Sequence, residues 1–134
     1  MGPNTYLNWV IENTETTWWH DSADPVEIQL GLDRGAVGAT TNPFLSSVAL
    51  TKNKAAWAKD VDLILANTMD AEQRAEELMR QVIVRAAAMY QPHYDRSNGK
   101  SGYVCAQVNP ARAGDRAAML AMVSTTKEAS TLSS

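Results

Sequence analysis

The residues of this chain that can do chemistry stand in three small groups: Asp21-Ser22, Thr41-Asn42, and Gln107 with Asn109. Brought together, they would offer a carboxylate, a hydroxyl and two or three amides. Such a set donates and accepts hydrogen bonds to a polyhydroxylated ligand, and Asp21 can move a proton directly or through a water. Each residue also has a plainer use, Asp21 as a turn residue and Asn42 and Asn109 as helix caps. Position favours the chemical reading. Each group closes a short run of strand-forming residues, and in a right-handed parallel β/α arrangement the carboxyl ends of the strands share one face, where ligands bind.

The elements that must position these groups follow from the pattern. Thr16 to His20 is β-branched and aromatic and predicts a first strand ending at Asp21-Ser22. Asp24-Pro25 then starts a helix, with Asp24 as cap, Pro25 at its first position and Glu27 in the capping-box place; Gly35 ends it. "AVGAT", Ala36 to Thr40, is too short and small-sided for a helix and predicts a buried strand, after which Asn42 caps a helix begun by Pro43. The helical stretch from Pro43 holds two helices, or one broken near Lys52-Asn53. Thr68 to Tyr90 is the strongest helix, with Thr68 or Asp70 at its start. Leu78, Val82, Arg85, Ala86 and Met89 mark one face, and Glu76 with Arg80 forms an i,i+4 surface pair. Tyr94 to Ser101 is a polar loop, "GYVCAQV" a third strand closed by Asn109-Pro110, and "ARAGDRAAMLAMV" a last helix. A short helix over Thr5 to Thr14 precedes the whole, and residues 124–134 read as a frayed polar tail. Strand and helix alternate, which calls for a parallel α/β sheet.

Composition narrows the classes of function. With 134 residues the chain makes one domain. A net charge of −3 gives no electrostatic reason for nucleic acid or an anionic membrane as partner. No window carries 18 uninterrupted apolar residues, so no membrane span is expected. Met1-Gly2-Pro3-Asn4 has no basic region with an apolar run behind it, so no secretory leader is expected. Cys105 is alone, which suits a reducing, cytoplasmic setting, and it reads as a small buried hydrophobe. His20 and His93 are not spaced as metal ligands, and no metal or cofactor is expected. His20 precedes Asp21 within a strand, so its side chain faces the other way. No G-x-S-x-G elbow, dinucleotide fingerprint or phosphate loop is present. Trp18-Trp19 reads as packing rather than a sugar platform.

"HDSADPVEIQLGLDRGAVGATTNPFL", His20 to Leu45, resembles the opening of the transaldolase family, in which a first strand ends in Asp and a second runs into Thr-Thr-Asn-Pro or Thr-Ser-Asn-Pro. "GYVCAQVNPARAGD" resembles that family's third strand, usually written with Glu-Val-Asp-Pro. The resemblance implies a (β/α)8 TIM barrel and Schiff-base transfer of a dihydroxyacetone unit between ketose and aldose phosphates, as in the pentose phosphate pathway. It places Asp21 where the family has its proton-transferring Asp. Asn42 falls where the family binds the dihydroxyacetone part of the donor, with Thr40 beside it. Gln107 falls where most members have a Glu that handles the catalytic water. Gln keeps the hydrogen bonds but is no base near neutral pH.

The chain also departs from the family in length. A complete barrel takes about 250 residues, and this chain supplies three β/α units. The family's Schiff-base lysine lies on the fourth strand in a Val-Lys-Ile/Leu-Pro context, and none of Lys52, Lys54, Lys59, Lys100 or Lys127 matches it. The expectation is therefore the N-terminal portion of a transaldolase-like barrel, ending before its nucleophile and inactive alone. Its open strand edges predict a homo-oligomer or aggregation. The rivals are a non-catalytic α/β module that binds a sugar phosphate or a partner chain, and a truncated product without function of its own.

Overall fold

The structure, a computed structural model, describes residues 5–67 and 70–131. Three parallel strands form one sheet in the order β1 (His20–Asp21), β2 (Gly38–Thr41), β3 (Tyr103–Ala106). Their register pairs Asp21 with Thr40, and Thr40 with Cys105. The helices are α1 (Thr5–Asn13), α2 (Pro25–Asp33), α3 (Pro43–Lys52), α4 (Lys54–Asn67), α5 (Ala71–Arg96) and α6 (Arg116–Thr131), with a 3-10 turn over Pro110–Arg112. Three β/α units on an open parallel sheet are the opening portion of a (β/α)8 barrel.

Local chemistry sets these boundaries. The Asp24 carboxylate accepts the Val26 and Glu27 amides at 2.9 and 3.1 Å, with Pro25 leading α2. Gly35 lets the chain leave α2 with φ at +82°, and a Cβ there would stand 2.6 Å from Ile11. Asn42 Oδ1 accepts the Leu45 amide at 2.9 Å and Pro43 opens α3. α3 stops at Lys52 and α4 begins at Lys54, the break falling at Asn53. Gly38 has a different reason to be glycine: a Cβ would stand 2.6 Å from the Tyr103 carbonyl and 2.7 Å from the Trp19 ring.

The core has two parts, and α5 runs through both. Ile28, Ala39, Ala86 and Tyr90 pack between α2, α5 and the sheet, with Leu32, Met89 and Val104 against them. Ala23, Ala49, Trp57 and Val82 join α3 and α4 to α5, with Leu45, Leu50 and Val61 around them. Tyr90 is fully buried and its hydroxyl donates to the Gly38 carbonyl at 3.1 Å, fixing α5 to β2. Burial pushes that phenol up to about 12. Arg85, on the same helical face as Val82 and Ala86, is exposed; its guanidinium lies 4.6 Å from the Trp57 ring centre and donates to the Ala56 carbonyl.

Several expectations are corrected. The first strand is not Thr16 to His20 but His20–Asp21, because a ladder needs a partner and β2 reaches only that far. Ahead of it, the Trp18 carbonyl accepts the Val37 amide at 3.0 Å. α5 does not end at Tyr90 but runs through Pro92 to Arg96, absorbing the first residues of the expected loop. The ring costs the bond to the Ala88 carbonyl, but Ala88 is exposed and water can take its place. Arg80 pairs with Glu77 rather than Glu76. Asp70 caps α5, accepting the Glu72 and Gln73 amides; Thr68 lies outside the described residues. In the 124–134 stretch, α6 is helical to Thr131, and 132–134 lie outside the described residues. Among the described residues no helix is long and apolar enough to cross a membrane.

Candidate functional site

The helices cover one side of the sheet, and the alternation of each strand decides which side chains face away from them. In β2, Ala39 is buried against Ile28 and Tyr90, so Thr40 faces the open side. In β1, His20 turns toward α2, its ring occupying the space where a Cβ on Gly31 would stand, so Asp21 faces the open side beside Thr40. The two meet: Thr40 Oγ1 donates to Asp21 Oδ1 at 2.7 Å. This bond holds the carboxylate in one orientation at the end of β1. Thr40, expected to bind substrate, gives its only proton to Asp21.

Asn42 follows Thr41 at the end of β2. Capping α3 commits its Oδ1, so the amide group cannot turn over and its Nδ2 is left as the outward donor. The cap and a binding role therefore use different atoms of one side chain. Thr41 is buried and ties β2 to β3: its Oγ1 donates to the Cys105 carbonyl at 3.2 Å, and its own carbonyl accepts the Gln107 amide at 3.3 Å. The ladder thus continues past β3 and brings Gln107 alongside Asn42. Gln107 is exposed. Asn109 repeats the cap, its Oδ1 accepting the Ala111 amide at 3.0 Å. The structure brings Asp21, Thr40, Asn42 and Gln107 to the carboxyl end of one sheet.

Two features were not legible in the sequence. Cys105, read as a buried hydrophobe, is exposed in register with Thr40. Ser22, buried directly after Asp21, accepts the Asp24 amide at 3.1 Å and donates to Glu27 Oε2 at 2.6 Å. It fills the role the capping box assigned to Glu27. Lys52 donates to Glu27 Oε1 at 2.7 Å; this bond first, and the Ser22 hydroxyl second, hold the Glu27 carboxyl below the usual glutamate range. The signal was present as a Ser five residues before a Glu, a spacing with no fixed meaning until the turn between them is known.

The other singled-out groups lie elsewhere. Trp18 donates its indole N–H to the Arg34 carbonyl and meets His20 edge to face, while Trp19 is 39% exposed over Gly38. His93 sits on α5 with Arg96. None of the five lysines stands on a strand: Lys52 is in α3, Lys54 and Lys59 in α4, Lys100 in the loop before β3 and Lys127 in α6. Lys52 is held protonated by Glu27, the opposite of what a nucleophilic amine needs.

The family model for transaldolase/fructose-6-phosphate aldolase matches residues 18–125. No curated protein matches the chain.

Proposed function

The chain belongs to the transaldolase/fructose-6-phosphate aldolase family, and from that premise we propose that the carboxyl ends of β1, β2 and β3 form the proton-transfer and donor-binding half of an aldol-transfer site. The substrate class is a ketose phosphate, bound by its dihydroxyacetone part. The observation that carries this reading is the 2.7 Å bond from Thr40 to Asp21, two residues along the ladder from Asn42 and Gln107. Thr40 orients the carboxylate, and Asp21 exchanges the proton. Asn42 presents Nδ2 to a substrate oxygen. Gln107 orients a water without acting as its base, which leaves the proton work to Asp21.

The amine that forms the Schiff base is not assigned to any lysine of these three units. Fructose 6-phosphate with borohydride is expected to leave no covalent adduct on the purified chain. Binding alone is tested by titrating the same sugar phosphate against the isotope-labelled chain. The side-chain amides of Asn42 and Gln107 should shift in the NMR spectrum, and Asp21→Asn should weaken the effect. Shifts confined to α4 and α5, or a stoichiometric lysine adduct, would overturn the assignment. A second reading, a module that binds a sugar phosphate without turnover, is favoured by Gln107 and by the placement of the lysines. Replacing the first three units of an active family barrel with this chain separates the two, since turnover by the hybrid excludes a purely binding role.

A further inference from the structure

Turns between strand and helix ordinarily lie at the surface. The turn after β1 does not: Ser22, Ala23 and Asp24 are 2, 1 and 5% exposed, directly after the exposed Asp21. Each of the three has its own anchor. Ala23 packs with Ala49 of α3, Trp57 of α4 and Val82 of α5. Asp24 caps α2. Ser22 is bonded twice through one hydroxyl, accepting the Asp24 amide at 3.1 Å and donating to Glu27 Oε2 at 2.6 Å. Lys52, the last residue of α3, donates to the other Glu27 oxygen at 2.7 Å. α3 is therefore fixed at both ends, by the Asn42 cap at its start and by Glu27 at its finish.

These anchors bear on Asp21. β1 is two residues long, so the ladder with β2 holds the chain only as far as the pairing of Asp21 with Thr40. The bond from Thr40 joins two side chains at an exposed position, where water competes and the net contribution is small. Such a bond keeps one geometry only if the backbone beneath it is set from both directions. Ser22 sets it from the side the ladder does not reach. Without the Ser22 hydroxyl the buried Asp24 amide loses its acceptor, and a buried group left unpaired is costly. The turn must then open to hydrate that amide, and Asp21 moves with it.

We infer that Ser22, seated on Glu27, is a positioning residue for Asp21: it holds the β1–α2 turn where the carboxylate meets the Thr40 hydroxyl. Ser22 acts through the backbone, and Lys52 keeps its acceptor in place. The use of this placement in proton transfer rests on the function proposed above; the placement itself does not.

The side-chain rotamer of Asp21 tests it, read from the Hα–Hβ couplings of the isotope-labelled full chain without ligand. The parent should show a single rotamer. Thr40→Val, which removes the donor, should average the couplings over several. Ser22→Ala should average them in the same way, well below its melting temperature. Glu27→Ala alters a half-buried side chain and removes the acceptor of the Ser22 hydroxyl. It should have the same effect and decides the matter if Ser22→Ala does not fold. Glu27→Gln should keep the parent's rotamer, because the amide oxygen still accepts the hydroxyl. If a folded Ser22→Ala or Glu27→Ala loses Tm but keeps the single rotamer, Ser22 is a cap alone and the inference fails. It also fails if the parent is already averaged, if Thr40→Val keeps one rotamer, or if Glu27→Gln averages as Glu27→Ala does. Titration of the parent with fructose 6-phosphate reads the proposed function separately. Rotamer loss in Ser22→Ala without ligand shifts at Asn42 and Gln107 in the parent upholds the positioning and removes the function.

Discussion

Asn42 caps α3 with Oδ1, and the function proposed above gives its Nδ2 a second task; substitution can part the two. Asn42→Ala removes the cap and the donor together and should cost about 1 kcal/mol of stability along with sugar-phosphate binding. Asp is as good a cap as Asn, so Asn42→Asp should keep the melting temperature while losing binding, because Nδ2 becomes a second carboxylate oxygen. Denaturant unfolding beside an NMR titration reads both quantities; if Asn42→Asp binds as the parent does, Asn42 is a cap alone. Asp21 calls for a different readout. In a hybrid barrel that turns over, Asp21→Asn should lower kcat about 10²–10⁴-fold, the usual size for an acid–base residue, with a smaller change in KM. Near-full turnover would reduce Asp21 to a turn residue.

Elements were legible where their signals are local. Asp24-Pro25, Asn42-Pro43 and Asp70 each set a helix start because a cap and its amides lie within three residues. The strand–turn–helix at Thr41-Asn42-Pro43 could be read for the same reason, as could the convergence of Asp21, Asn42 and Gln107 on one sheet end. The misread features depend on distant partners. β1 is two residues long because pairing with β2 defines it, not the propensity of Thr16 to Trp19. Glu76 and Glu77 lie one turn from Arg80 at spacings of four and three, and spacing alone cannot choose between them. The bond between Thr40 and Asp21 was hidden for the same reason, its partners lying 19 residues apart. The overrun of α5 through Pro92 reflects tertiary support: Tyr90, two residues earlier, is locked beneath β2. Pro92 still forfeits one helical bond, so Pro92→Ala should stabilise the chain on the order of 1 kcal/mol, seen as a rise in Tm. A fall would show that the ring makes a contact worth more than the bond.

At the scale of the whole molecule, one phenol links the sheet to the longest helix and gives the fold an alkaline limit. Tyr90 has its pKa raised to about 12 from an ordinary value of 10.0. The group is neutral in both states below pH 10, so its contribution is complete there, and it is lost as pH rises from 10 toward 12. The full loss is on the order of 3 kcal/mol. Urea unfolding across that range should show the decline, and Tyr90→Phe should flatten it while costing about 1 kcal/mol at neutral pH. An unchanged slope in Tyr90→Phe would assign the limit to other groups. The close spacing of Asp21 and Thr40 also sets an order of assembly. Their bond spans 19 residues, whereas Thr41 reaches Cys105 across 64. Short loops close at smaller entropic cost and sooner. On a ribosome, β1, α2 and β2 are all synthesised before β3, so the Thr40–Asp21 bond can be set while Gln107 is still untranslated.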